Sequence, residues 1–173
     1  MAQNIEVMIT EHDINDKIAR LGMKISKEYE GKTVHLIGVL KGSVFFMCEL
    51  AKHITVPVTM DFMMVSSYGK SMTSSGEVKI VKDLDEPIEG REVILVEDIV
   101  DSGNTLSVLR GVLEARKPSS FQVVTLLDKP DRREVEVKVE YSCFTVPDEF
   151  VVGYGLDFAQ RYRNLPYIGI VKK

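Results

Sequence analysis

The middle of the chain reads Val93-Ile94-Leu95-Val96-Glu97-Asp98-Ile99-Val100-Asp101-Ser102-Gly103-Asn104-Thr105-Leu106. Its first four residues are aliphatic, which predicts a strand buried on both faces, as strands of a parallel sheet are. Apolar residues then recur at helical spacing from Leu106 as far as Arg116, which predicts a helix. The loop between the two elements therefore lies at the carboxyl end of a strand. That edge is where open α/β sheets bind ligands.

The loop itself has the residues that a phosphate dianion requires. Gly103 can adopt backbone conformations that are closed to other residues, and the hydroxyls of Ser102 and Thr105 are hydrogen-bond donors. The start of a helix adds free amides and a partial positive charge. We therefore expect Ser102, Gly103, Asn104 and Thr105 to bind the phosphate of a phosphorylated sugar. A Walker-type loop is excluded, because no Gly-Lys-Ser/Thr ending is present.

Three carboxylates stand next to this loop, at Glu97, Asp98 and Asp101. Beside a phosphate they would oppose binding unless a cation or a sugar diol lay between them. Mg²⁺ fits, because it prefers oxygen ligands and often bridges one or two carboxylates to substrate phosphates. The alternative is that Glu97 and Asp98 merely end a strand in solvent, and the combination of strand, third acid and Gly-Asn-Thr turn disfavours it.

The stretch from Val96 to Leu106 resembles the 5-phosphoribosyl 1-diphosphate binding loop of the type I phosphoribosyltransferases. Four further segments, in the same order along the chain, resemble the hypoxanthine-guanine branch of that family in its bacterial form. These are Leu40-Lys41-Gly42, Ser66-Ser67-Tyr68-Gly69, Asp128-Lys129-Pro130 and Val146-Pro147-Asp148-Glu149-Phe150-Val151-Val152-Gly153-Tyr154. The resemblance runs from about Val34 to the C-terminus.

The resemblance implies an α/β fold, with a Rossmann-like and mostly parallel central sheet, flanking helices and a small hood. It implies one domain over residues 1–173, with a core at about 34–130 and the hood at about 131–173. The residue pattern also favours alternating strands and helices. It predicts helices at 10–31, 43–53 and 106–116, and strands at 34–40, 56–65, 77–82, 93–96, 121–127, 134–140, 150–154 and 167–171.

The resemblance also implies the roles of particular residues. It assigns pyrophosphate binding to Lys41, Gly42 and Arg163, and it implies that the Leu40-Lys41 peptide can adopt the cis form. By residue type alone, Arg161 is as good a candidate as Arg163. The purine site consists of Lys129, Phe150, Val151 and Asp157. Glu97 and Asp98 are the implied ligands of one Mg²⁺, and Asp157 is the implied ligand of a second. The phosphoribosyl group is bound by Glu97, Asp98, Asp101, Ser102, Gly103, Asn104 and Thr105. Asp101 is the candidate general base, and Ser67 and Tyr68 are candidate residues of a lid.

The expected activity is transfer of a phosphoribosyl group from 5-phosphoribosyl 1-diphosphate to hypoxanthine or guanine. Three alternatives remain at this stage. A xanthine-preferring transferase would share nearly every motif. An RNA-binding regulator on the same fold is disfavoured by the acidic balance and the lack of a basic stripe. A sugar diphosphate synthase or an Mg²⁺-dependent phosphatase fits less well: the synthase is usually longer than this chain, and the phosphatase would not need Lys129 and Phe150.

Composition is that of one compact domain, with 173 residues, 45% hydrophobic, 28% charged and a net charge of −4. Neither a basic run nor an apolar stretch of membrane length is present, so we expect neither a nucleic-acid partner nor a membrane partner. Cys48 and Cys143 lack metal-type spacing, and residues 1–10 lack the features of a signal peptide. We expect a cytoplasmic enzyme, and the family implies a homodimer or homotetramer.

Overall fold

The computed structural model describes residues 4–67 and 78–172, which form a central sheet, a smaller sheet and three α-helices. In spatial order the central sheet contains β4 (Val78–Lys82), β3 (Val58–Ser67), β2 (Val34–Leu40), β5 (Glu92–Val100), β6 (Ser120–Asp128) and β7 (Tyr141–Thr145). The neighbours from β3 to β7 pair in parallel, whereas β4 pairs with β3 antiparallel. The expected mostly parallel sheet is therefore confirmed.

The order of the strands places a crevice at one edge of this sheet. From β2 the chain crosses to β3 on one side and later returns to β5 on the other side of β2. Loops that leave the carboxyl ends of β2 and β5 therefore diverge, and the opening between them is the usual ligand site of such sheets.

The helices cover both faces of the sheet. They are α1 (Glu11–Glu28), α2 (Val44–His53) and α3 (Asn104–Glu114). The first two pack into one apolar cluster and α3 into a second cluster on the other face. The hydroxyl of Thr10 caps α1 by accepting from the Asp13 amide, and Ile14, Ile18 and Ile25 are fully buried, as the apolar spacing predicts. Each such side chain contributes roughly 1.5–3 kcal/mol through burial.

The smaller sheet forms the hood over the crevice. It consists of β1 (Asn4–Ile9), β9 (Ile168–Lys172) and β8 (Val151–Val152), which pair antiparallel with β9 in the middle. Its strands therefore come from both ends of the chain. Sequence analysis did not predict β1, and the division into a core at 34–130 and a hood at 131–173 stays a prediction.

The strand predicted at 134–140 was wrong. That segment lies outside regular secondary structure, although Val137 and Val139 do pack against the cluster around α3. Alternation of apolar and polar residues predicts which side chains face inward, but a strand also needs a partner for its backbone. The open edge of β6 pairs instead with β7, a strand that the sequence analysis missed.

None of the helices in the described part of the chain is both long and apolar enough to cross a membrane.

Candidate active site

Three loops meet at the carboxyl edge of the central sheet. Lys41 and Gly42 follow β2, Asp101 to Gly103 follow β5, and Lys129 follows β6. They come from neighbouring strands, and the amide of Lys129 donates to the carbonyl of Val100 at 2.9 Å. Segments predicted separately from the sequence are thus brought together by the parallel register.

The loop after β5 forms a small cavity. Gly103 is the N-cap of α3 and has a left-handed backbone, with φ 85°, which a glycine adopts without strain. A cavity of about 220 Å³ lies in front of it. Its lining includes Glu97, Asp101, Ser102, Gly103 and Thr105. These five were predicted to bind the phosphoribosyl group, and they line one cavity at the start of a helix, where free amides favour an anion.

Asn104 differs from the other loop residues. Its side chain is exposed and donates to a carboxylate oxygen of Glu134 at 2.7 Å, while its amide lies 3.3 Å from the Ser102 hydroxyl. Asn104 can therefore contribute its backbone amide at the helix start, whereas its side-chain amide is already bound to Glu134.

Glu97 and Asp98 lie within β5 and have different surroundings. Successive side chains of a strand point to opposite faces, so the two carboxylates face different parts of the structure. Glu97 lines the same small cavity as the loop after β5, and burial, together with the charge of Asp98, raises its pKa well above the ordinary value. Asp98 approaches Gly42, and burial raises the pKa of its carboxyl to about 6.

The loop after β2 is packed tightly against Asp98. The peptide between Leu40 and Lys41 is cis, as the resemblance implied. A β-carbon placed on Gly42 would lie 1.6 Å from Oδ2 of Asp98, and one on Gly155 would lie 1.9 Å from the carbonyl oxygen of Gly42. Both positions therefore require glycine, and the hood contacts the core directly at this loop.

Two cations stand beside this loop. Arg163 donates to the Gly155 carbonyl at 2.6 Å and pairs with Asp157 at 2.8 Å. Lys41 is exposed, and its ammonium lies 3.4 Å from the side-chain oxygen of Gln160, which also lies 3.5 Å from Arg163. Arg161, the competing candidate by type, is exposed and pairs with Phe158 through its backbone.

A second, larger cavity of about 900 Å³ opens under the hood. All four residues predicted for the purine site line it: Lys129, Phe150, Val151 and Asp157. Lys129 is buried and donates to the Glu149 carbonyl at 2.6 Å, which holds its ammonium at the cavity wall. Phe150 is 52% exposed, and its ring meets that of Phe158 edge to face at 5.5 Å.

Asp101 lines both cavities. Its Oδ1 atom lies 3.2 Å from Nε of Arg132, and Arg132 also reaches Asp148 at 3.5 Å. Arg132 and Asp148 both line the larger cavity, and sequence analysis assigned a role to neither. Asp148 could have been found, because it lies in the segment 146–154 that resembles the family. No feature of the sequence pointed to Arg132.

Gln160 was also missed, for a different reason. Ala159, Gln160 and Tyr162 have positive φ angles of 50°, 65° and 74°, which are uncommon for residues other than glycine. Sequence patterns identify such turns through glycine, so this one could not be seen. Backbone of this kind is concentrated at ligand-binding sites.

The predicted lid falls at the limit of the described residues. Ser67 is the last residue of β3, and Tyr68 lies outside the described residues.

We call the loop after β2, with Lys41 and Gly42, the diphosphate loop. The carboxylate oxygens near it suit a magnesium ion. Asp98 and Asp157 are close enough for the charge of Asp157 to raise the pKa of Asp98, and a cation between them would reverse that effect. Within residues 4–67 and 78–172, no group of three or more acidic, histidine or cysteine side chains could hold a metal by itself. An ion here would share its ligands with substrate oxygens, as Mg²⁺ commonly does.

Comparison with known proteins shows the family of the chain. The family model of the phosphoribosyl transferase domain matches residues 8–159, and the chain belongs to this family. It is 54% identical to the hypoxanthine phosphoribosyltransferase of Salmonella typhimurium, over 99% of this chain and 97% of that protein. It is equally identical to the hypoxanthine-guanine phosphoribosyltransferase of Bacillus subtilis, over 99% and 96%. The crystal structure of a hypoxanthine phosphoribosyltransferase from Staphylococcus aureus superposes with a TM-score of 0.93 at 48% identity, covering 96% of this chain and 91% of that one. The resemblance and the fold class are confirmed.

Proposed function

We propose that this enzyme transfers the 5-phosphoribosyl group of 5-phospho-α-D-ribose 1-diphosphate to N9 of hypoxanthine, and also of guanine. The bond between ribose C1 and the diphosphate oxygen breaks, and a bond between C1 and N9 forms. The products are the purine nucleotide, inosine or guanosine monophosphate, and pyrophosphate. The purine loses one ring proton in the reaction.

The observation that carries this proposal is the position of Asp101, which lines both the small cavity and the large one. A phosphate in the first and a purine in the second would place the reacting ribose carbon between them. The carboxylate of Asp101 is then available to the ring proton of the purine, which is the geometry required of a general base.

The other residues bind and orient the two substrates. Amides and hydroxyls of Ser102 to Thr105 hold the 5-phosphate, and Glu97 stands beside the same cavity for the ribose hydroxyls. Lys41 and Arg163 stabilise the charge that develops on the departing diphosphate, Arg163 through a planar fork of donors. Catalysis is therefore mainly positional and electrostatic.

Asp98 and Asp157 would hold Mg²⁺ together with diphosphate oxygens, with Glu97 as a further candidate ligand. When bound, the ion supplies positive charge against the leaving group, which the two nearby cations do only in part.

Base selection depends on Lys129. Its ammonium has three donors, and the Glu149 carbonyl takes one of them. A remaining donor suits the 6-oxo group of hypoxanthine or guanine, whereas adenine would present an amino group that is itself a donor. Phe150 stacks on the base, an interaction worth about 1–3 kcal/mol for nucleobases on aromatic side chains.

The test offers hypoxanthine, guanine, xanthine, adenine and uracil separately to the purified protein with Mg²⁺ and 5-phosphoribosyl 1-diphosphate, and follows nucleotide formation by absorbance. Rapid reaction with hypoxanthine and guanine supports the proposal. Reaction with xanthine alone would overturn the substrate assignment but leave the mechanism. No reaction with any base would overturn the activity.

Three further predictions belong with this proposal. Ser67 and Tyr68 close over the reacting centre and exclude water from the electron-poor ribose carbon. The protein works in the cytoplasm, which its free cysteines Cys48 and Cys143 suit. It forms a homodimer or homotetramer, which light scattering after size exclusion measures directly.

A further inference from the structure

The segment from Arg133 to Val135 lies behind the phosphate loop, and we call it the brace. The amides of Glu134 and Val135 both donate to the carbonyl of Ser102, at 2.9 and 3.1 Å. The side chain of Glu134 accepts from Asn104 at 2.7 Å. The brace therefore contacts the loop through both backbone and side chain.

The fit between brace and loop is close. A β-carbon on Gly103 would lie 2.7 Å from the carbonyl oxygen of Val135 and 3.0 Å from Cδ of Arg133. Gly103 is thus restricted to glycine by its left-handed backbone and by the brace behind it.

These contacts orient the peptide groups of the loop. A phosphate loop works when its amides point toward the anion, which requires its carbonyls to point away and find donors there. The brace supplies those donors: the carbonyl of Ser102 receives two amides, and that of Asp101 receives Nε of Arg133 at 3.2 Å.

Arg133 also connects the two substrate cavities. While Nε donates to the Asp101 carbonyl, the other end of its guanidinium pairs with Asp128, the residue before Lys129. One planar group thus fixes the distance between the backbone of the candidate base and the strand end that carries the purine-binding lysine. A lysine could not make both contacts at once.

The segment that follows the brace, as far as Glu140, is itself anchored. Arg110 of α3 donates to the Lys138 carbonyl at 2.8 Å and pairs with Glu140 through both nitrogens, at 3.1 and 3.2 Å. Glu140 accepts in turn from the Val123 amide of β6 at 2.7 Å. The segment that failed to form a strand is therefore fixed between α3 and β6.

We propose that Glu134 and Arg133 are positioning residues for the transfer reaction: Glu134 holds the phosphate loop in its binding conformation, and Arg133 sets the loop against the purine-binding strand end. The inference rests on the proposed function and deepens it, because it gives residues that line neither cavity an effect on substrate binding. Glu134 affects the sugar diphosphate alone, whereas Arg133 affects both substrates.

The first test compares Glu134→Ala, Glu134→Gln and a matched control, Glu136→Ala. Glu136 lies two positions after Glu134, and its side chain is exposed. For Glu134→Ala we expect KM for 5-phosphoribosyl 1-diphosphate to rise about tenfold, the size of one hydrogen bond, with KM for hypoxanthine unchanged. Glu134→Gln keeps an acceptor for Asn104 and should restore KM to within about twofold. Glu136→Ala should match the wild type.

The second test uses Arg133→Met, which keeps the apolar stem, and Arg133→Lys, which keeps the charge. Both should raise KM for both substrates and lower kcat, because the two cavities lose their fixed separation. Thermal unfolding of every variant is measured alongside. A loss of stability with both KM values unchanged would mean that the brace is merely structural and would overturn the inference.

Binding of ribose 5-phosphate, measured by calorimetry, separates this inference from the activity. Binding of ribose 5-phosphate should weaken in Glu134→Ala and recover in Glu134→Gln. If this happens while no base reacts with the wild type, the proposed function fails but the role of the brace is supported. Equal binding by wild type and Glu134→Ala, in a wild-type chain that does form nucleotide, overturns the brace alone.

Discussion

Adding one methyl group at Gly42 tests the contact between the diphosphate loop and β5. In Gly42→Ala the new carbon would lie 1.6 Å from Oδ2 of Asp98, 2.5 Å from its Cγ and 3.3 Å from its Cβ. Rotation of the carboxylate cannot relieve all three contacts. The other oxygen of Asp98 also accepts from the Ile99 amide at 2.8 Å, which restrains that rotation.

The loop after β2 must therefore move. Restoring ordinary contact requires a displacement of roughly 1.5–2 Å, and overpacking of this kind costs about 1–3 kcal/mol of stability. The displaced residues include Lys41, which is proposed to stand beside the leaving group. Misplacement of a reacting group by about 1 Å can cost about 100-fold, so we expect kcat/KM to fall by at least about that factor.

The matched control is Gly111→Ala. A β-carbon at Gly111 has no atom within 4 Å, and the residue lies within α3. The same added methyl should there raise the free energy of unfolding by about 0.5–1 kcal/mol and leave kcat/KM unchanged, because alanine favours the helix. Steady-state kinetics and urea unfolding are measured for both variants. A Gly42→Ala enzyme with wild-type kcat/KM would refute the close packing described for this loop.

Three other substitutions test the site and the segment that follows the brace. Asp101→Asn should lower kcat by about 100- to 10,000-fold with little change in KM for 5-phosphoribosyl 1-diphosphate; equal turnover would reject the general base. Lys129→Gln offers adenine an acceptor, so the preference for hypoxanthine over adenine should narrow in a competition assay, and an unchanged ratio would dissociate Lys129 from base selection. Although burial works to raise it, hydrogen bonds from Arg110 and the Val123 amide hold the pKa of Glu140 below its ordinary value. Its stabilising effect is thus present above the unfolded pKa of about 4.3 and is lost as pH falls through the lower folded value. Glu140→Gln should therefore destabilise the protein at pH 7 and by less at pH 3.5 in urea unfolding, whereas an equal deficit at both pH values would contradict the linkage.

Local sequence patterns correctly predicted the elements whose apolar residues also indicate how the element is buried. The run from Val34 to Leu40 is apolar throughout and forms a strand with the predicted bounds, because a strand buried on both faces needs no alternation. The helix at 11–28 likewise follows from its apolar spacing and its Thr10 cap. The segment at 134–140 shows the limit of such patterns, since alternation there describes packing on α3 rather than pairing with a strand.

Contacts between distant segments were beyond the sequence. Gly42 was predicted to bind pyrophosphate, and Gly155, two residues before Asp157, was given no role. The close approach of Gly155 to the carbonyl oxygen of Gly42 follows from the hood strands β8 and β9 and from β1, which completes their sheet. The hood therefore also carries Arg163 and Asp157 on a turn that rests against the diphosphate loop of the core. A change that loosens β1 from β9 should thus reach the leaving-group site through this contact between two glycines, although β1 lines neither substrate cavity.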